Sequence, residues 1–223
     1  EEPLSIIIFF FLLSFFSSLF FSMASELEKP LDQARFDKEA EHWDVHKLQI
    51  EMHKHFMNAL KKSFDSFQLK KGFSVLEFGC GTGQKALDCL ELGAGKVVGA
   101  DISLPMLKKM QEKIKDKDTC STLVLKAENY ASEIQTETFD LILVPYVLHH
   151  CPEPELILSR LVDSLAEGGA IVVSEFYAEG VNLSKEMIQA KGITREGFTY
   201  DEMAKIFEKG GCKVAPKDSM AFF

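Results

Sequence analysis

The stretch Val75-Leu76-Glu77-Phe78-Gly79-Cys80-Gly81-Thr82-Gly83 decides the fold of this chain. It opens with a short apolar run that contains β-branched and aromatic residues, which predicts a buried strand. Three glycines at alternate positions follow, and because glycine tolerates positive φ and has no Cβ, the backbone can turn sharply and lie against a ligand. Residues 84–92 then carry apolar side chains at helical spacing. The stretch therefore predicts a strand, a Gly-rich turn and a helix whose free N–H groups complete a ligand cradle.

Two carboxylates indicate what this cradle binds. The glycine pattern alone also fits a dinucleotide site, so it is a weak signal by itself. Glu77 precedes the first glycine by two residues, where it would disfavour a pyrophosphate and favour a ligand that carries an ammonium group. Asp101 ends the next apolar run, 96–100, and a carboxylate at the end of a second strand can accept hydrogen bonds from ribose hydroxyls.

Composition limits the class of protein. The chain has 223 residues, 46% of them hydrophobic, which suits one domain with a sizeable core. Its formal net charge of -9 argues against a protein that binds nucleic acid. The 5 cysteines are scattered and never spaced as CxxC, so we expect free thiols in a reducing, cytoplasmic setting. The histidines of 42–55 lack a partner at a known ligand spacing, so no metal is predicted.

Five segments resemble the class I S-adenosylmethionine-dependent methyltransferases in their order and spacing. They are 77–83, 98–103, 127–128, 139–150 and 165–169. The resemblance covers roughly residues 36–223, and its motifs are specific for fold and cofactor but not for substrate. It implies methyl transfer from S-adenosylmethionine to O, N or C of a small-molecule acceptor.

The fold class expected is α/β. The alternation of helices and strands predicts a Rossmann-like three-layer sandwich around a mostly parallel seven-stranded sheet. The runs predicted as strands are 75–78, 96–100, 123–125, 139–144, 170–174, 213–214 and 220–223. The resemblance alone implies that the last strand runs antiparallel.

Three regions are expected along the chain. Residues 1–22 form an apolar leader that we expect to lie outside the fold, because its acidic start does not suit a signal peptide. A targeting segment is the alternative, and only then would we expect stable membrane association. Residues 23–70 are expected to form a helical cap, with one apolar helical stripe over 31–67. Residues 71–223 would form the S-adenosylmethionine-binding domain, whose C-terminus we expect to be incomplete.

The resemblance assigns cofactor contacts residue by residue. The matching positions are Glu77, Gly79, Cys80, Gly81, Gly83, Asp101, Ile102, Met106, Ala127, Glu128, Val144 and Pro145. The chain departs from the family pattern at Lys126, where the family often carries an acid. A backbone N–H or Glu128 would then bind the adenine edge.

Acceptor contacts are expected from the side chains near the ends of the strands and in the cap. They are Phe36, Trp43, Tyr146, His149 and Tyr177. His149 is the candidate catalytic residue, because imidazole titrates near neutral pH and can take a proton from a hydroxyl or acidic carbon. The alternative is that His149 and His150 only pack the loop under the cofactor, and we favour that alternative for His150.

Two other classes compete with a methyltransferase. A short-chain NAD(P)-dependent reductase would need Tyr-x-x-x-Lys, and none of the four tyrosines has Lys at that offset. A non-catalytic partner protein that keeps the fold stays open. The presence of Glu77, Asp101 and all three glycines argues against it, because such a protein would not need them.

Overall fold

The computed structural model describes residues 5–11, 33–116, 118–126, 134, 137–178, 193–209 and 212–215. In this part of the chain, one sheet is flanked by helices. The strands are β1 Ser5–Phe11, β2 Ser74–Phe78, β3 Lys96–Asp101, β4 Cys120–Val124, β5 Phe139–Pro145, β6 Leu165–Phe176 and β7 Lys213–Val214. The α-helices are α1 Gln33–Glu39, α2 Lys47–Ser63, α3 Gln84–Glu91, α4 Leu104–Lys113, α5 Pro154–Asp163 and α6 Tyr200–Lys209. Short 3-10 turns cover Trp43–Val45, Phe64–Phe67 and Leu148–His150.

The strand order places a ligand-binding crevice at the centre of the sheet. The order is β4-β3-β2-β5-β6-β1-β7, and the described pairings are all parallel. The chain runs outward from β2 to β3 and β4, and then returns to β5 on the other side of β2. Ligands of open α/β sheets bind outside the carboxyl ends of the strands at such a reversal.

The central strands are buried on both faces, which explains their continuous apolar runs. In β5, Leu141 and Leu143 pack into a cluster that includes side chains of α2, α3 and α4. Ile142 and Val144 point to the opposite cluster, which includes side chains of α5 and α6. The predicted three-layer α/β class is therefore confirmed, with β2–β6 as its central part.

The apolar leader differs from the expectation. We expected residues 1–22 to lie outside the fold, yet β1 pairs along its whole length with β6, from Ser5 opposite Ala170 to Phe11 opposite Phe176. It also pairs with β7, and both pairings are parallel. A run of Ile and Phe favours a strand wherever an unpaired strand edge is available. The segment 220–223, predicted as the antiparallel last strand, lies outside the described residues.

The helical cap is divided into two helices instead of the single one predicted over 31–67. α1 ends at Glu39, and the turn Trp43–Val45 separates it from α2. α2 buries Leu48, Phe56 and Leu60, whereas α1 has no buried residue. α1 is therefore held by partly buried contacts, such as that of Phe36 with His150. Among the described helices, none combines the length and apolar character that a membrane crossing requires.

Candidate active site

A cavity of about 370 Å³ opens at the carboxyl ends of the central strands, beneath α1 and the start of α2. Its volume lies within the range of about 300–1,000 Å³ that is typical of small-molecule sites. The strand ends bring Gly79, Asp101, Pro145 and Phe176 to this cavity. It therefore lies at the reversal of strand order that the fold predicts as the binding crevice.

The Gly-rich turn forms one wall of the cavity. Gly79 and Gly81 have φ values of 70° and 54°, a backbone region that residues with a Cβ disfavour. A Cβ on Gly79 would lie 2.5 Å from Val147 Cγ2, and one on Gly81 would lie 3.2 Å from Trp43 Nε1. A side chain at Gly79 would therefore clash with Val147, whereas one at Gly81 would be in tight contact with Trp43. Gly83, by contrast, caps the start of α3 and does not line the cavity.

Asp101 lines the cavity and holds the Gly-rich turn in place. Its Oδ2 accepts a hydrogen bond of 2.7 Å from the Gly81 N–H, and its Oδ1 accepts one of 2.9 Å from the Ser103 N–H. Burial raises the pKa of this carboxyl, and the hydrogen bonds from the backbone act in the opposite direction. The predicted ribose-binding carboxylate is thus at the predicted strand end, and it also fixes the loop beside it.

Glu77 occupies a different position from the one expected, since it does not line the cavity. Its carboxylate is fully buried, and Oε2 accepts a 2.7 Å hydrogen bond from the Ala86 N–H in the first turn of α3. Oε1 has no hydrogen-bond partner in the described part of the chain and lies 3.9 Å from Lys85 Nζ. Burial raises the pKa of Glu77 to about 7. Lys85, which sequence analysis did not single out, lines the cavity instead.

His149 and Glu175 form a buried pair at the end of β6. The Nδ1 atom of His149 lies 2.8 Å from Glu175 Oε2, and the Leu148 N–H donates a 2.6 Å hydrogen bond to Oε1. His149 lines the cavity, and both side chains are almost completely buried. Glu175 was missed by sequence analysis. Its signal was a carboxylate directly after the predicted strand 170–174, the same signal that revealed Asp101.

The aromatic residues expected to contact the acceptor are brought together with one exception. Phe36, Trp43 and Tyr146 line the cavity. Tyr177 does not, because it packs into the core and bridges to Phe198. Phe176 takes its place, with its ring centroid 4.7 Å from that of His149.

The remaining predicted cofactor residues fall into three groups. Cys80, Ile102, Met106 and Pro145 line the cavity. Val144 lies in the core cluster and does not reach the cavity, because strand alternation turns its side chain to the sheet face. The predicted contacts Ala127 and Glu128 lie outside the described residues. Within the described part of the chain, no group of three or more His, Cys, Asp or Glu side chains could hold a metal ion.

Polar contacts attach the cap to the wall of the cavity. Asp44 accepts a hydrogen bond from the Thr82 hydroxyl in the Gly-rich turn and pairs with Lys113 Nζ at 2.5 Å. The Ser103 hydroxyl donates a 2.6 Å hydrogen bond to Asp37 of α1. The cap is therefore bound to the elements that follow β2 and β3, and sequence analysis gave no signal for these contacts.

Comparison with known proteins gives the same class that the fold and site define. A methyltransferase-domain family model matches residues 76–173. An uncharacterised methyltransferase of Geobacillus kaustophilus is 30% identical over 166 residues, which cover 69% of this chain and 75% of that protein. A demethylmenaquinone methyltransferase of Lactococcus lactis is 31% identical over 106 residues, and the match covers 47% of this chain. The chain spans only 42% of the length of that second relative.

Solved structures share the fold. One is the complex between the Haloferax volcanii Trm112 methyltransferase activator and a methyltransferase, with a TM-score of 0.63, 19% identity, and 82% of this chain and 77% of that chain covered. Another is phosphoethanolamine N-methyltransferase 2 of Haemonchus contortus in complex with S-adenosylhomocysteine. It has a TM-score of 0.57 and 23% identity, with 69% of this chain and 36% of that chain covered. The chain belongs to the class I S-adenosylmethionine-dependent methyltransferases.

The residues present fit the cofactor of this family, which is S-adenosylmethionine. Gly79 and Gly81 of the Gly-rich turn line the cavity, where their backbone is exposed to a ligand without a side chain in between. Asp101 offers a buried carboxylate at the adjacent strand end, and Ile102 and Met106 add apolar wall. The cavity thus combines an apolar lining with a few polar groups, as a nucleoside ligand requires.

Proposed function

We propose that this protein transfers a methyl group from S-adenosylmethionine to O, N or C of a small-molecule acceptor, with His149 as general base where the acceptor must lose a proton. The observation that carries the proposal is the His149–Glu175 pair, in which a buried carboxylate lies 2.8 Å from an imidazole that lines the cavity. Buried pairs of this kind hold a histidine in one tautomer and orientation.

The pair provides a proton acceptor at a defined atom. In this proposal Glu175 Oε2, 2.8 Å from Nδ1, accepts the Nδ1–H of His149, which leaves the lone pair of the ring on Nε2. Bound S-adenosylmethionine supplies a methyl group already activated on a sulfonium. The residues of the chain therefore need to align the acceptor with the methyl group, and this alignment is worth several powers of ten in rate. They also need to remove the proton of the acceptor. Nε2 takes that proton, and the negative Glu175 stabilises the resulting imidazolium.

The walls of the cavity favour a small, partly apolar acceptor. Phe36, Trp43 and Tyr146 provide aromatic surface, and Phe176 lies against His149. The acidic chain and the limited cavity argue against a polynucleotide acceptor. The demethylmenaquinone methyltransferase and phosphoethanolamine N-methyltransferase relatives support a small-molecule acceptor.

The cofactor is assigned to the side of the cavity formed by the strand ends. Its contacts in this proposal are Gly79, Cys80, Gly81, Asp101, Ile102, Met106 and Pro145. Residues 23–70 would act as a cap and 71–223 as the S-adenosylmethionine-binding domain. One structural neighbour is a methyltransferase in complex with its Trm112 activator, so binding of a protein partner by this chain is also a hypothesis to test.

The experiment that tests this function uses S-adenosylmethionine with a labelled methyl group and a fractionated pool of metabolites. We expect label to move into a small acceptor, which mass spectrometry identifies by its added methyl. Parallel calorimetry should show saturable binding of S-adenosylmethionine and none of NADH. Cofactor binding with no transfer to any fraction would instead support the non-catalytic partner protein.

A further inference from the structure

One wall of the cavity carries three basic side chains that make no hydrogen bond or ion pair with the described residues. Lys38, His42 and His46 lie at intervals of four residues along the cap, and each lines the cavity. None of these three side chains makes a hydrogen bond or ion pair within the part of the chain that the structure describes. Lysine is positive at neutral pH, and imidazole N–H groups donate hydrogen bonds. The wall therefore offers several donors and at least one charge to a ligand.

The acidic residues of the same segment, 33–46, are all engaged with neighbouring side chains. Asp37 accepts a hydrogen bond from Ser103, and Glu39 pairs with Arg35 at 2.8 Å. Glu41 pairs with Lys109 at 2.8 Å, and Asp44 binds Thr82 and Lys113. Of these four carboxylates, Glu39 lines the cavity, and it does so beside its partner Arg35. The carboxylates are thus paired, whereas Lys38, His42 and His46 make no ion pair in the described part of the chain.

The other charged groups that line the cavity have partners. Arg35 and Glu39 pair with each other at 2.8 Å and together add no net charge. Lys85 is positive and lies 3.9 Å from the buried Glu77. Asp101 is bound by the N–H groups of Gly81 and Ser103. The cavity therefore has a wall of basic side chains, with the charge of Lys38, in a chain whose formal net charge is -9. A cleft of one sign with apolar surroundings concentrates ligands of the opposite sign.

We propose that Lys38, His42 and His46 bind an anionic group, a carboxylate or a phosphate, on the methyl acceptor. This inference rests on the proposed function and narrows its acceptor to small molecules that combine an anion with an apolar or aromatic part. The anion contacts the cap, and the apolar part lies against Phe36 and Trp43 of the same wall. Charge-assisted hydrogen bonds of this kind are about twice as strong as neutral ones.

Trp43 allows a direct test, because it is the single tryptophan of the chain and lines the cavity. The full chain is saturated with S-adenosylhomocysteine, and its tryptophan fluorescence is titrated with benzoate, phenyl phosphate and benzamide. We expect benzoate or phenyl phosphate to bind at least tenfold more tightly than neutral benzamide. The stronger of the two anions identifies the acceptor group as carboxylate or phosphate.

Substitutions test whether Lys38 causes the preference for anions over benzamide. Lys38→Met should weaken binding of the preferred anion by about tenfold and leave benzamide unchanged, whereas Lys38→Arg should keep most of the affinity. Lys62→Met, at an exposed lysine that does not line the cavity, is the matched control. Equal affinity for anions and benzamide, or no binding of either anion, would overturn the inference. Weaker binding of S-adenosylhomocysteine to Lys38→Met would also overturn it, since Lys38 would then serve the cofactor.

Failure of the anion-site inference can be distinguished from failure of the proposed methyl transfer. The titration measures binding without turnover, so anion binding in a protein that transfers no methyl would contradict the proposed function and leave an anion site whose ligand is not a methyl acceptor. Efficient methylation of a neutral acceptor, with no gain from an added anionic group, would contradict this inference and leave methyl transfer standing.

Discussion

The indole Nε1 of Trp43 lies 3.2 Å from the point where a Cβ on Gly81 would stand. Trp43 belongs to the cap and Gly81 to the Gly-rich turn, so the cap packs directly on the loop that forms the cofactor wall. Asp44 reinforces this contact through its hydrogen bond from the Thr82 hydroxyl. Cap and loop are therefore expected to act as one unit when the cofactor binds.

Gly81→Ala tests this packing. The positive φ of 54° should cost about 1–2 kcal/mol of unfolding free energy, and the methyl group against Trp43 should weaken cofactor binding in addition. Gly72→Ala is the control, because Gly72 also has a positive φ but a Cβ there would meet nothing within 4 Å. Urea unfolding followed by circular dichroism measures both variants.

Gly81→Ala combined with Trp43→Leu separates the cost of the positive φ from the cost of the contact with the indole. When Trp43 is replaced by Leu, Gly81→Ala should lose the steric part of its unfolding free-energy cost and keep the backbone part. Equal costs of Gly81→Ala in both backgrounds would show that the indole does not restrict the loop.

Asp101→Ala should weaken binding of S-adenosylmethionine by roughly 1–3 kcal/mol, because the cofactor ribose loses a charged hydrogen-bond acceptor. Part of this loss comes from the loop, since Asp101 also accepts the Gly81 N–H. Calorimetry on Asp101→Ala and on the exposed control Asp118→Ala measures the difference. An affinity equal to that of the control would remove Asp101 from the cofactor site.

Glu77 should make the stability of the protein depend on pH. Burial raises its pKa from 4.5 to about 7 in the folded protein. A carboxyl with a raised folded pKa contributes stability below its unfolded pKa, and this contribution is lost as pH rises through the folded pKa. The unfolding free energy should therefore fall by about 3 kcal/mol between pH 4.5 and 7 on account of this one residue.

Glu77→Gln removes the titrating group and keeps an oxygen that can accept the Ala86 N–H. We expect the variant to lose the fall in unfolding free energy that Glu77 causes between these pH values. Glu91→Gln, at an exposed position on α3, is the control. Parallel stability curves for the wild type and Glu77→Gln would contradict the raised pKa.

The apolar strand β1 should contribute to stability. It pairs with all of Ala170–Phe176, and Phe10 lies opposite Glu175. A chain that starts at Met23 should lose several kcal/mol of unfolding free energy, because each ladder hydrogen bond contributes about 0.5–1.5 kcal/mol. Removal of residues 1–3 alone, which leaves β1 in place, is the control for urea unfolding. Identical midpoints for the two shortened chains would show that β1 does not support the sheet.

The local features of the fold were predictable from sequence. The strand, turn and helix around Gly79 follow from apolar periodicity and glycine chemistry, and Asp101 lies at the predicted strand end. These features depend on residues close together in the chain. Glu77 was placed wrongly, although strand alternation puts it on the same face as Val75, away from the cavity.

The features that were missed depend on residues far apart in the chain. His149 was identified as a candidate, but its partner Glu175 follows 26 residues later and meets it only because β5 and β6 pair. The insertion of β1 beside β6 is likewise a long-range pairing that no local pattern specifies. Phe176 lines the cavity and Tyr177 packs into the core, and which of the two faces the cavity depends on the position of the end of β6 in the fold.

The turnover of His149→Ala tests the central claim most directly, once the labelled acceptor is known. For an O–H or C–H acceptor, we expect kcat to fall about a hundredfold or more while the affinity for S-adenosylhomocysteine stays unchanged. Glu175→Gln should lower kcat in the same direction, and His53→Ala, which does not line the cavity, should have no effect. Wild-type turnover in His149→Ala with such an acceptor would contradict the account, because alignment alone would then carry the reaction.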